Sequence, residues 1–207
     1  MGHQLALVLV PIALFALFLW WYGGNGAPMD AAEQTRLLAT LRQRLQGTPG
    51  EPLIEEAQQL LASEDGKEFV MHNCVRYRAK ALYPPGSPYG DDPREADRRY
   101  GRAIVPHLLR RACVPVFIAR RSGRFIDCEG VPEWHYVAMV RYRSRRDFFA
   151  FVLAINAQGA DVHKWAAIGQ TVIFPVKPIV SLVVVRFTVG ALFALVAAAV
   201  FVLTRIA

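Results

Sequence analysis

The sequence predicts an α+β protein in which a four-stranded domain of β-α-β-β-α-β order lies between two apolar helices and follows a helical hairpin. Three observations carry that expectation. Charge-free apolar runs stand near both ends, "LALVLVPIALFALFLWWY" from Leu5 to Tyr22 and "FTVGALFALVAAAVFVL" from Phe187 to Leu203. Between them, β-rich stretches alternate with helical patterns that bring their own caps and breakers. The composition, 54% apolar with 20% charged residues over 207 positions, is too apolar for an ordinary soluble domain and too charged for a many-helix transporter, so it averages two materials.

The first apolar run is about eighteen residues long. At ~1.5 Å per residue it nearly crosses a hydrocarbon core of roughly 30 Å. Trp20, Trp21 and Tyr22 close it, where amphipathic rings prefer the membrane interface, and Pro11 introduces a kink that lipid-embedded helices tolerate. The leading "MGHQ" lacks the lysine or arginine of a cleavable signal, so a retained helix over residues 1–22 is expected.

Residues 23–66 read as a linker and an amphipathic hairpin. Asp30 caps a helix striped by Leu37, Leu38, Leu41 and Leu45, "GTPGEP" ends it, and Leu53, Ile54, Ala57, Leu60 and Leu61 stripe a second. The stripes suit either the main domain or a membrane surface.

Residues 67–178 carry the sheet domain. "EFVMHNCVRYR" is the first strand, and "ALYPPGSPYGDDP" is a loop because proline and glycine interrupt every regular period. Asp92, Pro93 and Glu95 form a capping pattern for a helix over Pro93 to Ala112 that Pro106 kinks or shortens. "VPVFIARRSGRFI" and "EWHYVAMVRYR" are two strands joined by "DCEGVP", the second placing Trp134, Tyr136, Ala138, Val140 and Tyr142 on one face. Ser144 and Asp147 cap the helix built on "FFAFVLAI"; a short helix over Ala160 to Gly169 and a strand "TVIFPV" complete the order. Such a split βαβ sheet is covered by helices on one face, and pairing with a second copy would hide the other.

Residues 179–207 form the second membrane segment. Arg186 sets its start, with a side chain long enough to snorkel to the headgroups. Gly190, Ala194 and Ala198 recur every four residues, a small-residue surface on which another helix can pack closely. Near the membrane, Arg36, Arg42, Lys164, Lys177 and Arg186 flank the domain side against Arg205 on the other, so a two-pass protein of the bacterial inner membrane with a cytoplasmic domain is expected.

The net charge of +7 is assigned to membrane lipid and not to nucleic acid: the arginines come as scattered pairs without zinc-finger spacing or an RNA-binding aromatic signature. Cys74, Cys113 and Cys128 are odd in number and widely spaced, which fits no disulfide framework and suits a reducing compartment.

From Glu68 to Pro178 the chain resembles the bacterial family called domain of unknown function 1330, on the strength of "EFVMHNCVRYR", "EADRRYGRAIVPHLLRR", "VAMVRYRSRRDFF" and "HKWAAIGQTVIFPV". The resemblance implies a ferredoxin-like domain of the dimeric α+β barrel type and no settled activity. Two membrane segments and a hairpin depart from the small soluble members.

His163, His72 and Tyr100 are the candidate catalytic residues, with Arg141 a further polar candidate. In the resemblance His163 opens the last helix, a position that can face a cavity in related barrels. Local spacing fixes no acid near it beyond Asp161, and neighbouring Trp165 suits packing. His72 and Cys74 share a strand face without a second ligand pair, so no metal site is expected, and no cofactor either: P-loop, GxGxxG, GxSxG and HExxH are all absent. The leading expectation is an accessory or assembly subunit docking on other membrane protein subunits. A membrane-tethered small-molecule enzyme or binder with a cavity near His163 is the alternative.

Overall fold

The computed structural model describes residues 2–24, 26–126, 129–179 and 185–206, with side chains described from Leu9 to Leu203. Two compact units emerge: Gly26–Pro178, and a second built from both ends of the chain, Met1–Asn25 with Ile179–Ala207.

The larger unit is α+β. Four strands, β1 (Phe69–Tyr77), β2 (Val114–Arg120), β3 (Tyr136–Tyr142) and β4 (Ile168–Val176), form one antiparallel sheet in the order β2-β3-β1-β4. β3 pairs with both β1 and β2, so the helix between β1 and β2 crosses over an inserted antiparallel strand. That helix is α4 (Pro93–Leu109); α5 (Arg145–Gln158) and α6 (Asp161–Ala167) make the second crossover. With α2 (Ala31–Leu45), α3 (Ile54–Ala62), and the terminal helices α1 (Gly2–Gly23) and α7 (Val185–Ile206), seven α-helices lie among the described residues.

The caps expected from sequence form. Asp30 accepts from the Glu33 amide at 2.7 Å, and Ser144 accepts from the Asp147 amide at 3.1 Å. Asp92 accepts from the Arg94 amide at 2.9 Å, while Glu95 turns outward to Arg98 and leaves the reciprocal half of the capping box unmade. α4 runs through Pro106 and ends at Leu109, short of Ala112, which takes a positive φ of 53°. The second strand ends at Arg120, six residues short of its expected end at Ile126, and Gly123 and Gly130 lie in the loop that follows. β4 starts earlier than expected, directly after Ala167, because Ile168 already adopts extended backbone.

Register assigns the faces. Phe69 opposes Tyr142 and Met71 opposes Val140, and these pack with Leu108 of α4 and Phe151 and Ile155 of α5 into the main core; Val75, opposite Tyr136 on the same face, packs with Ala96 of α4 and Ala166 of α6. The opposite face carries His72 and Cys74 of β1, Val137 and Met139 of β3, Val172 and Phe174 of β4, and Phe117 of β2. No helix of this unit covers it among the described residues: Phe117, Val172 and Phe174 are 44%, 48% and 42% exposed.

The hairpin belongs to this unit. Leu41, Leu45, Ala57 and Leu61 pack on Phe149 of α5, so α5 buries Phe151 and Ile155 toward the sheet and Phe149 toward the hairpin. Ion pairs reinforce the join: Arg146 holds Glu33 through two nitrogens, and Asp65 receives both Arg145 at 2.9 Å and Lys177 at 2.6 Å. Gly66 lies in this loop at φ +69°, where a Cβ would collide with the Gly26 carbonyl, so no side chain fits.

In the second unit α1 and α7 pack antiparallel. Gly190 accepts the Phe15 ring, Phe15 approaches Phe193 at 5.9 Å, and the Arg186 guanidinium lies 5.0 Å over the Tyr22 ring. Ala194 and Ala198 are exposed, because a four-residue step drifts around a helix of 3.6 residues per turn; Gly190, Phe193 and Ala197 are less so. Two spanning helices were expected. Among the described residues one stretch, Arg186–Leu203, is long and apolar enough to cross a membrane, with none of it buried; the described apolar part of α1 is Leu9–Gly23. Trp20 is 72% exposed. Trp21 stands 6.2 Å from Phe18.

Candidate functional site

The expected site residues fall in three separate places. His72 lies on the uncovered sheet face, its ring 5.0 Å from Phe174 and its Nδ1 3.7 Å from the Cys74 thiol. Among the described residues no third metal ligand joins them. Tyr100 projects from α4 into the main core, where burial first and then the charges of Asp161 and Asp97 push its phenol above the usual tyrosine range. Arg141 is buried and structural: it pairs with Glu68 and donates to the Ala112 carbonyl at 2.6 Å, holding Ala112 at its positive φ of 53°. Cys74 and Cys113 are free thiols; Cys128 lies outside the described residues.

His163 stands in α6 beneath the proline-rich loop. Ala81 donates to the Asp91 carbonyl at 2.7 Å and Leu82 to the Ala166 carbonyl at 3.0 Å, which folds the loop back over the helix. Its two tyrosines then enclose the imidazole. The Tyr83 hydroxyl is 2.8 Å from Nδ1, and the Tyr83 and Tyr89 rings meet the histidine edge-on at 5.6 and 4.8 Å. Arg99 of α4 covers Tyr89 at 5.0 Å, and its Nη1 is buried without a hydrogen-bond partner. Burial, and secondly the Arg99 charge, hold the His163 pKa below the ordinary histidine value. A neutral imidazole accepting from the Tyr83 hydroxyl through Nδ1 carries its proton on Nε2. The next residue, Lys164, lies 5.1 Å over the Trp165 ring, and burial draws its amine below the usual lysine range against the opposing Asp161.

A second polar cluster escaped sequence reasoning. Asp97 of α4 points at the sheet and accepts from the Tyr77 hydroxyl at 2.8 Å and the Tyr136 hydroxyl at 3.1 Å. His135 stacks on Tyr77 at 5.3 Å and accepts the Tyr77 amide through Nδ1 at 2.9 Å. Burial raises the Asp97 pKa against both hydroxyl donors, and raises both tyrosines. The cluster pins α4 to the β1–β3 pair with every carboxylate oxygen occupied. Alternation on β3 pointed to Tyr136; Asp97 sat unmarked in an arginine-rich helix.

No family model matches this sequence, and no curated protein does. The chain is similar in fold to solved structures. One is RPA0582 of Rhodopseudomonas palustris, a protein of unknown function, with a TM-score of 0.55 at 24% identity over 61% of this chain and 94% of that one. Methylated RPA0582 matches at 25% identity with a TM-score of 0.55 over 61% and 91%. The likeness is one of fold.

Proposed function

We propose that this chain is a membrane-held accessory subunit: α1 and α7 lie in a bacterial inner membrane, and a ferredoxin-like domain, related to domain of unknown function 1330, docks through its uncovered sheet face on a larger membrane protein complex from the cytoplasmic side. The observation that carries the reading is that apolar face, with Phe117, Val172 and Phe174 all exposed beside the half-buried Val137 and Met139. Such a patch marks an interaction surface. The apolar stretch Arg186–Leu203 supports the anchorage. Two helices of this composition conduct nothing, but they hold a small domain beside a partner.

The alternative, a small-molecule enzyme or binder at His163, is less well supported: the Tyr83 and Tyr89 rings already stand edge-on against the imidazole.

The test is the mass of the particle released from native membranes by mild detergent. A stoichiometric complex with a second polypeptide is expected, and Phe174→Asp should release the chain from it. A free monomer or a homodimer, with Phe174→Asp migrating like the parent, overturns the docking role. Release of the chain by carbonate without detergent overturns the anchorage.

A further inference from the structure

We propose that a shallow basic depression at the end of β1 binds a phosphoryl group. It measures about 440 Å³ and is lined by Arg76, Arg78, Lys80 and Gln170, with Gly169 and Leu82 between them. All three cations line it because they stand two residues apart, the spacing that extended chain turns to one side. Gly169 keeps the floor low: a Cβ there would stand 3.4 Å from the Arg78 nitrogen and the Tyr77 carbonyl.

The cations are held in place and remain available. Arg76 donates one Nη1 bond to the Gln170 side chain at 3.0 Å, and Arg78 donates Nε to the Trp165 carbonyl at 3.3 Å, which leaves the outer edges of both guanidinium groups for a ligand. Lys80 reaches Asp91 at 3.1 Å across the rim, in a pair exposed enough to exchange partners. No carboxylate lines the depression itself. Planar guanidinium forks match the oxygens of phosphate, and a concave surface of one sign concentrates the field acting on an arriving anion. A dianion with three equivalent oxygens satisfies three cations arranged around it, where a carboxylate with two would leave one unmatched.

The phosphoryl group can belong to a soluble phosphate or to a lipid headgroup, and two arms separate them. The full chain in neutral detergent is titrated calorimetrically with inorganic phosphate, and native mass spectrometry counts phosphatidic acid retained against phosphatidylcholine. Arg76→Gln and Lys80→Gln should each weaken the interaction about tenfold, the loss of one charge-assisted contact. Arg102→Gln, exposed on α4 outside the depression, should leave it unchanged. Phosphate binding lost in the two variants identifies a soluble ligand; phosphatidic acid retention lost in them identifies a headgroup. Binding of neither probe, or binding the two variants leave intact while melting as the parent does, overturns the site.

Discussion

His163 can be assigned a protonation state and a direction of pH response. Its folded pKa lies below the ordinary 6.5, so the unfolded chain binds the proton more readily. Its contribution to stability is therefore complete above 6.5 and falls away as the pH drops through that value. NMR of the full chain should show the His163 imidazole titrating below 6.5, with Arg99→Gln moving the midpoint upward; a midpoint at or above 6.5 would contradict the packing described. Asp97 offers a sharper energetic test. Asp97→Ala strands two half-buried tyrosine hydroxyls without their acceptor and should cost about 2 kcal/mol in denaturant unfolding, whereas Tyr77→Phe should cost about 1 kcal/mol. Sequence identified His163 through its place at a helix start, but its partners were hidden. Tyr83 and Tyr89 lie in a loop with no period to interpret, and Asp97 meets Tyr77 and Tyr136 only after α4 has crossed the sheet.

Helices and strands were legible where a local rule decides them. The caps at Asp30, Asp92 and Ser144 fall where side chains can take orphan amides, and the leucine stripes of α2 and α3 announced a buried face. What that face meets was not legible. Phe149 lies in the run Phe148-Phe149-Ala150-Phe151-Val152, and nothing in it says that Phe149 serves the hairpin while Phe151 serves the sheet. The Asp65 loop locks that arrangement. The bond from Lys177 leads in holding the Asp65 pKa at about 2, with Arg145 adding its charge. A depressed carboxylate stabilises fully above its ordinary value of 3.8 and loses that contribution as the pH falls toward 2. Asp65→Ala leaves the buried Arg145 without its carboxylate and should cost about 3 kcal/mol at neutral pH, with the deficit shrinking on acidification. Parallel pH–denaturation series of parent and variant measure both.

At the level of topology, the β-α-β-β-α-β order followed from alternating patterns and short connections, and the strand order β2-β3-β1-β4 is the arrangement such an order favours. The uncovered face was expected from counting layers: two crossover helices cover one side of four strands, and something outside the domain must cover the other. Its composition required the register, which places Phe117, Met139, His72 and Phe174 in one row across the sheet. Composition marked both ends of the sequence as apolar, yet it left open which small residues face a neighbour. Gly190 meets Phe15 while Ala194 and Ala198 look outward.

The loop around Asp65 and Gly66 gathers the beginning and the finish of the polar unit in one spot: Gly26 presses on Gly66, and Lys177 reaches Asp65. The polypeptide therefore enters and leaves that unit through a single doorway.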